Sequence, residues 1–524
     1  MEQRTTNEYH KYEYNNSPNF YKKYELTDTV MSYKGHILHR IRNLKTNQLG
    51  GWVESEDNLD SCGECWVYYE AKVYGNAQVL GDAQISGESE VFDNATIFGK
   101  VHINNKAKVY GNAVITDRAE ISHNAEIYGN AEVHNYADIC GNAKVYDNAK
   151  IYESVKISGN ANIHGNSKIY NNVQIYENAD IFGDVEIYDK ANIHGNAKIY
   201  DSVVVTGEVE IFDNAEIFEE ARISNCSCEF PITVPNCIPC AIIDTDEEIE
   251  SLSVVNSRSG SQLSGSVAKI DIRVLYKNGD SITHEVSYRY DNIPHEFNPV
   301  KIFGNATIYG KARILGGSIS GYADISGNVV VAHNAEVSGH IRLNDKIKIL
   351  HNAKVLDHAT INGTVIIYDN AKVYEDAIIE GEDSYISDDV QIYGNAKVYG
   401  SFEIKDDVHI YGHAIIDNPM MLSGNAEIYD DAQIYGKVYE NAKVYNNAIV
   451  DSFAQVYGNA RVYGNAKILD AAQVYGNAKV FDDAMILNEG KVSGKSKLGK
   501  NTIVKNNAES VNDIVTKDIG RIFE

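Results

Sequence analysis

One repeat constrains the fold of this chain more than any other feature of its sequence. From Val67 to Ile223, every sixth residue is Val or Ile, 27 times in succession. A small residue, usually Ala, lies two positions before each of them, and the unit reads A-x-V-Y-G-N. The alternation in A-x-V-Y is typical of a β-strand, while Gly and Asn accept the positive φ that a sharp corner requires. A fixed period of strand and corner predicts a β-solenoid.

The fold class predicted from this repeat is all-β, a single-stranded parallel β-helix in two segments with a small inserted domain. Three hexads make one triangular coil, so residues 18 positions apart are expected to stack at about 4.8 Å. The hexapeptide pattern favours the left-handed sense, and a right-handed triangular helix, as in bactofilin-like polymers, is the alternative. Hexads resume at Ile302 and continue to Val504 with three slips: one residue lost near Gly317, one gained near Asp383 and two lost at Gly436 and Lys437.

The register divides the chain into six parts. They are a flexible N-terminal tail (1–23), an N-terminal β-cap (24–66), a first β-helix (67–225), an inserted Cys-rich β domain (226–300), a second β-helix (301–504) and a C-terminal helical cap (505–524). Trp52 and Trp66 are expected to cover the first coil, because an uncovered coil is an open sheet edge. The C-terminal helix is predicted from the helical spacing of Val511, Ile514, Val515, Ile519 and Ile522.

The cap carries a specific motif. Its run L-G-G-W-V-E-S-E-D-N-L, followed by G-E-C-W-V-Y, resembles the N-terminal signature of the YdcK-like proteins and of related phage and prophage hexapeptide-repeat proteins. That family is similar in fold to the left-handed parallel β-helices of the LpxA-like acyltransferases. The resemblance covers Tyr24 to Tyr68 and implies a left-handed β-helix. It also implies a transferase label without a known substrate.

Charge and composition narrow the classes of function. The 74 acidic and 47 basic residues give a formal net charge of −27, which argues against nucleic acid as a partner. No apolar run approaches the roughly 18 residues of a membrane helix, and no secretory or Arg-rich leader is recognised. We therefore expect no membrane partner and a cytoplasmic location. The seven cysteines do not form a secreted disulfide framework.

Every third hexad contributes to the same column of outward side chains. One column is almost entirely aromatic, and its members are the predicted binding surface: Tyr74, Phe92, Tyr110, Tyr128, Tyr146, Phe182, Tyr200 and Phe218. The adjoining column alternates in charge, as in Lys108, Glu126 and Lys144, so each charge is expected to pair with the coils above and below. Corner asparagines are expected to form amide ladders. These columns keep the coils in register, and an aromatic wall of this size is also typical of a docking surface for a protomer or ligand.

The insertion combines a cysteine cluster with a hairpin. Cys226, Cys228, Cys237 and Cys240 form C-x-C-x8-C-x-x-C, a spacing that permits a structural tetrahedral zinc; disulfides and unligated packing thiols are the alternatives. Residues 269–276 and 281–290 alternate around an Asn-Gly pair, which predicts a β-hairpin. Outside the insertion, Cys62 and Cys65 form a separate C-x-x-C, for which packing is favoured over a redox role.

No catalytic set is recognised in the sequence. Acyltransferases of this fold use a His on an outward loop between subunits, and the unbroken first helix has no such loop. We find no Ser-His-Asp set, phosphate-binding Gly loop or metal-ligand His pair. We therefore expect a non-enzymatic, rigid β-solenoid that acts as a binding or assembly scaffold for a protein partner or for further copies of itself. An LpxA-like, acyl-CoA-dependent acyltransferase or a degenerate relative is the alternative, and an acidic rod that mimics DNA is the third.

Overall fold

Short parallel strands form nearly all of the described structure. The computed structural model describes residues 22–61, 63–224, 249–259, 267–276, 281–289, 300–303, 306–309, 312–505 and 509–510. The chain divides into two compact units, Met1–Gly165 (unit 1) and Asn166–Glu524 (unit 2). Within each unit the described coils form a parallel β-solenoid, as predicted. The left-handed sense stays a prediction of the hexad pattern.

Each hexad of unit 1 contributes one short strand. These strands begin at Trp66–Val67 and recur with every hexad to Asn162–Ile163. Within the unit, strands three hexads apart pair in parallel, as Lys72 does with Glu90 and Val73 with Val91. The Val or Ile at the end of a strand, here called the landing, is fully buried, and so is the Ala that precedes it on the same face. The predicted coil of three strands around an aliphatic interior is confirmed.

The corners of the coils explain much of the acidic composition. Gly75 has a φ of 68°, and the equivalent residue one coil later, Asp93, has a φ of 59°. Asp93 Oδ2 accepts a hydrogen bond from the backbone N–H of Gly111 at 3.1 Å, because the corner of the next coil lies directly beside it. Asp117 makes the same contact with the N–H of Asn135, also at 3.1 Å. These carboxylates therefore satisfy backbone donors of the next coil.

The second corner position carries the predicted amide ladder. In unit 1 the Nδ2 of one Asn donates to the Oδ1 of the Asn one coil later, at 3.0 Å in each step. The ladder runs through Asn76, Asn94, Asn112, Asn130 and Asn148. Since each amide both donates and accepts, the ladder fixes the vertical register of this corner.

An antiparallel hairpin covers the first coil. Strands β1 (Tyr24–Tyr33) and β2 (His36–Asn43) pair with each other, and β3 (Leu49–Val53) pairs with β2. On its other side β3 runs parallel to Lys72–Val73, and a 3₁₀ turn, Glu56–Asn58, follows it. β3 thus already belongs to the first coil. Trp52 and Trp66 are 8% and 6% exposed, as the prediction of an apolar cover requires.

The glycine pair of the cap motif is required by close packing. A Cβ on Gly50 would lie 2.6 Å from Ile41 Cγ1, and one on Gly51 would lie 2.5 Å from Val67 Cγ1. Neither neighbour is the flexible end of a long side chain, so a larger residue would force the hairpin and the first coil apart.

Asn58, in the same motif, is 1% exposed and fully hydrogen-bonded. Its Nδ2 donates to the carbonyl oxygens of Gly75 at 3.0 Å and Ala77 at 2.9 Å. Its Oδ1 accepts from the backbone N–H groups of Ser55 at 2.9 Å and Glu54 at 3.1 Å. The motif therefore encodes the closure of the first coil.

Unit 2 continues the hexads and carries the insertion. Its first strands recur with every hexad from Lys168–Ile169 to Arg222–Ser224. The insertion contains β4 (Ile249–Ser259), β5 (Val267–Tyr276) and β6 (Ser281–Arg289), which form a separate antiparallel sheet. The predicted hairpin is β5–β6, whereas β4 was not predicted, because its serines suggested a loop.

The solenoid ladder of unit 2 passes directly across the insertion. Ile211 pairs with Ile302 and Ile223 pairs with Ile314, so the coil after the insertion stacks on the coil before it. The longer strands that follow are Val300–Ile302, Arg313–Gly321, Val330–Gly339, Arg342–Ile349, Lys354–Asp357, Thr360–Ile367, Ile378–Ile386, Lys397–Gly400 and Ile415–Asp417. Short strands again recur with every hexad from Lys437–Val438 to Ile503–Val504. The insertion is thus an expanded corner of one coil.

All three predicted slips are confirmed by the strand register. Ile302 pairs with Ile319, one residue short of the usual spacing. Val373 pairs with Ile392, one residue beyond it. Leu422 pairs with Val438, two residues short. In every case a landing still stacks on a landing, and the corner absorbs the difference in length.

Three sequence predictions lie outside the described residues. They are residues 1–21 of the flexible tail predicted over 1–23, the site of Cys226, Cys228, Cys237 and Cys240, and residues 511–524 of the helical cap predicted over 505–524. Within that cap, the described residues Glu509–Ser510 form a strand. The zinc site and the helix therefore stay predictions. Of the C-x-x-C pair, only Cys65 is described, and it is buried. Burial raises the pKa of this thiol, although Lys23 Nζ lies 3.0 Å from Sγ. This environment favours the packing interpretation.

Candidate binding surface

The aromatic column of unit 1 is a continuous ladder of stacked rings. Each ring follows a landing and points outward, because neighbours in a strand alternate between its two faces. From Tyr74 to His164 the ring centroids lie 5.1, 4.8, 4.8, 4.8 and 4.6 Å apart, with interplanar angles of 5° or less. The members are Tyr74, Phe92, Tyr110, Tyr128, Tyr146 and His164. The spacing is that of the β-sheet itself, so the backbone fixes the ladder.

The hairpin covers the N-terminal end of this ladder. Tyr74 is 3% exposed and packs with Leu38 and Trp52, whereas Phe92 is half-buried. Tyr110, Tyr128, Tyr146 and His164 are also half-buried. The structure therefore separates Tyr74 from the other predicted surface residues, and the accessible part of the unit 1 ladder begins at Phe92.

Paired charges border the ladder. Glu126 lies between Lys108 and Lys144, with N–O distances of 3.5 and 3.8 Å. The predicted pairing between coils is confirmed here. Burial, with the nearby carboxylate of Glu126, raises the pKa of Tyr110 to about 12. The same causes raise the pKa of Tyr128, so the phenols of this surface stay neutral well above physiological pH.

Unit 2 holds the remaining predicted rings in a ladder of its own. Phe182, Tyr200 and Phe218 stack with centroid distances of 4.9 and 5.0 Å. Tyr309, which lies beyond the insertion in sequence, continues the ladder at 5.0 Å from Phe218. Tyr309 was missed because the prediction ended at the insertion, although the hexad that resumes at Ile302 contains the signal.

A longer ladder near the end of unit 2 was also missed. It has seven rings with centroid distances between 4.7 and 5.3 Å: Tyr374, Tyr393, Tyr411, Tyr429, Tyr445, Tyr463 and Phe481. Two slips fall within this ladder, so counting exactly 18 residues along the sequence does not lead from each of its rings to the next. Desolvation raises the pKa of Tyr429 to about 12, and the neighbouring phenol of Tyr445 contributes to this shift.

The slip at Gly436 also shapes the surface. The corner of this coil is two residues short, while the same corner carries Met420 one coil earlier and Phe453 one coil later. Met420 is 52% exposed, Phe453 66% and the adjacent Met421 39%. The shortened corner is therefore a recess flanked by exposed apolar side chains. The sequence indicated the slip but not these exposures.

Histidines and carboxylates of the described coils occupy structural positions. His134 stacks on Tyr152 at 5.1 Å, and its Nδ1 lies 2.8 Å from Thr116 Oγ1. His351 Nδ1 lies 2.9 Å from Asp369 Oδ1. Among the described residues, no group of three or more His, Cys, Asp or Glu side chains is placed to hold a metal ion.

One cleft of unit 2 has a volume of about 1070 Å³ and follows one row of corners. Six of its lining residues are acidic and one is basic: Asp201, Glu219, Glu220, Asp345, Glu382, Asp383 and Lys346. Such a lining repels anionic ligands.

Comparison with known families agrees with this geometry. Residues 454–468 match the family model described as the YdcK β-solenoid repeat. This stretch is similar to the YdcK repeat. The YdcK-like resemblance is thus confirmed for the repeat, and phage or prophage origin stays a prediction. No curated protein matches the chain. In the part of the chain that the structure describes, no helix is long and apolar enough to cross a membrane.

Proposed function

We propose that this YdcK-type solenoid is a non-enzymatic scaffold that binds another protein, or a further copy of itself, through its ring ladders. The observation that carries the proposal is the half-buried stack from Phe92 to Tyr146, bordered by the ion pairs of Glu126. Rigid aromatic rings give a large contact area at low entropic cost, because the backbone already orders them. The proposed location is the cytoplasm, where an unpaired thiol such as that of Cys140 is expected to stay reduced.

The acyltransferase alternative has less support. Coenzyme A carries several phosphates, and the charged residues that line the cleft of unit 2 are six carboxylates and one Lys. The described coils of unit 1 after Val67 follow the hexad without an interrupting loop. The DNA-mimic alternative is weakened because corner carboxylates such as Asp93 are engaged by backbone N–H groups. In addition, the outward column mixes Lys with Glu.

Two double variants of unit 1 test the scaffold. Tyr128→Ser with Tyr146→Ser removes two rings of the ladder, while Tyr69→Ser with Tyr136→Ser removes two exposed rings of the same unit that lie outside it. Each protein is used to capture partners from its native cell, and its mass in solution is measured by light scattering. We expect the ladder variant to lose at least tenfold in captured partner or in self-association, and the control to behave like wild type.

Equal loss in both variants, or no loss in either, would contradict the proposal. The enzyme alternative is tested separately by calorimetry with acetyl- and succinyl-coenzyme A. If either compound binds saturably and this binding is lost when one His is changed, the acyltransferase function is favoured and the scaffold proposal is wrong.

A further inference from the structure

Unit 2 buries apolar side chains on the outside of its coils at one place. Val330 and Ala332 flank the inward landing Val331, and Leu350 follows the landing Ile349. All three therefore point away from the solenoid interior. They are nevertheless only 4%, 5% and 7% exposed. Together with the partly buried residues packed against them they form the outer apolar patch: Leu315, Val330, Ala332, Leu350, Ile366 and Tyr368.

Burial of this degree is unusual for large outward side chains, although small ones beside a landing reach it, as Ser387 (4% exposed) and Ser423 (6%) do. The burial that needs a cause is therefore that of Val330 and Leu350. Ile378 and Ile449 precede landings of unit 2 as Val330 does, and both are half-buried. Leu469 and Leu487 follow landings as Leu350 does, and they are half-buried as well. Stacking between coils therefore does not by itself bury an aliphatic residue at these positions. An additional element must cover the outer apolar patch.

The insertion leaves the solenoid on the face that carries the patch. Arg222–Ser224, the last strand before the insertion, pairs with the start of Arg313–Gly321, and that strand pairs in turn with Val330–Gly339. The chain returns at Val300, and the segment 290–299 spans at most about 36 Å. The patch lies only a few coils from Val300, at about 4.8 Å per coil, so β6 is within reach.

The inserted sheet needs a partner for one of its faces. In the sequence of β5, Ile270, Ile272 and Val274 alternate with Lys269, Asp271 and Arg273. The register places Val274 opposite Leu252 on one side and Ile282 on the other, and Ile270 opposite Val286. Residues directly opposite each other share a face of an antiparallel sheet, so one face of β4–β6 is predicted to be mostly apolar, with His284 opposite Ile272 and Ser257 opposite Ile270.

We propose that this apolar face of the β4–β6 sheet packs on the outer apolar patch and fixes the insertion to the side of the solenoid. Three observations support this packing. The outward patch is covered, the inserted sheet has an apolar face that requires a cover, and the insertion leaves the solenoid on the side that carries the patch. The charged face of the sheet, with Lys269, Asp271 and Arg273, is then the one available to a partner.

The test measures hydrogen exchange in the full chain. Leu350→Glu places a charge in the patch without changing an inward residue, and Leu469→Glu is the matched control at an uncovered outward Leu. We expect amides of 249–289 to exchange at least tenfold faster in Leu350→Glu and at the wild-type rate in Leu469→Glu. Peptides of the neighbouring coils, 354–373, should keep their protection. Ala332→Arg, which adds a long charged side chain to the patch, should release the sheet in the same way.

Unchanged exchange of 249–289 in both Leu350→Glu and Ala332→Arg would overturn the proposal. A second outcome would also overturn it. If a second copy of the chain covered the patch, light scattering would show a dimer that Leu350→Glu dissociates, while the exchange rate of the inserted sheet would stay constant.

Discussion

The hydroxyl of Tyr74 donates to Glu90 Oε2 at 2.8 Å, and Glu90 is only 7% exposed. Tyr33 donates to the other carboxylate oxygen at 2.9 Å, and Lys34 Nζ lies 2.8 Å from Oε2. Tyr33 and Lys34 belong to the β1–β2 hairpin, while Tyr74 and Glu90 belong to adjacent coils. One carboxylate thus fastens the cap to the solenoid. The hydrogen bonds from Lys34 and the two phenols outweigh burial and lower the pKa of Glu90.

Glu90→Gln is therefore expected to loosen the hairpin. The neutral amide leaves Lys34 without its anion and presents a donor to the phenols, so the local stability should fall by about 2 kcal/mol. Hydrogen exchange of amides 24–43 measures this loss. Glu126→Gln, in the same column but away from the hairpin, should leave those amides unchanged. Equal protection of the hairpin in both variants would show that Glu90 does not hold it.

Asn58→Ala should open the first coil locally. The substitution removes the two donors that reach Gly75 and Ala77 and leaves their carbonyl oxygens without these bonds. A cost of about 2–3 kcal/mol is expected, because buried polar groups lose their partners. Limited proteolysis within 49–67 reports the opening. Asp57→Ala, an exposed neighbour in the same turn, is the control and should resist proteolysis like wild type.

The acid response of unit 1 should depend on Glu132. Hydrogen bonds from His134 and Lys150 lower the pKa of Glu132 from 4.5 to about 2. A carboxylate with a lowered folded-state pKa stabilises the fold above its unfolded value, and this contribution disappears as the pH falls through the folded value. Wild type should therefore exceed Glu132→Gln by about 1 kcal/mol above pH ~5, after allowance for solvent screening. The difference should shrink below pH 4.5 and vanish near pH 2.

Urea midpoints of both proteins across this pH range measure the effect of Glu132. Glu120→Gln, an exposed carboxylate of unit 1, provides the reference. A wild-type advantage that persists unchanged at pH 2 would mean that Glu132 acts through packing and not through its charge.

Ile151→Asp should disrupt the coils of unit 1 around it. Ile151 is a fully buried landing, and an unpaired carboxylate there costs more than about 4 kcal/mol. Ile151→Val keeps the shape of a landing and should cost about 1 kcal/mol. Hydrogen exchange of residues 127–163 distinguishes the two. Similar protection in both variants would contradict an aliphatic interior at this coil.

The coils could be predicted from the sequence because the residues that form each strand and each corner lie within one hexad. A buried landing such as Val73 and a corner such as Gly75 and Asn76 lie next to each other in the chain, so periodicity alone finds them. The slips could be located for the same reason. Columns such as Lys108, Glu126 and Lys144 then follow from the step of three hexads.

Contacts between distant segments could not be predicted in this way. Glu90 lies in the column of alternating charges between Lys72 and Lys108, but it binds the hairpin, which also buries Tyr74. The ladder after Tyr374 was missed because one slip lengthens the step between coils and the next shortens it, as the pairs Val373–Ile392 and Leu422–Val438 show. Such features depend on which segments meet in space, and a local repeat contains no information about that.

The buried landings lie in the faces of the coils, whereas changes in chain length fall in the corners. This has a consequence for how the gene can change. Ile211 stacks on Ile302 as regularly as Val73 stacks on Val91, although a whole sheet is inserted between the first two. Deletions and insertions at a corner thus leave the aliphatic stack and its energy intact. Each corner is an independent site for acquiring a new segment, and the solenoid can gain recognition modules one at a time without refolding its core.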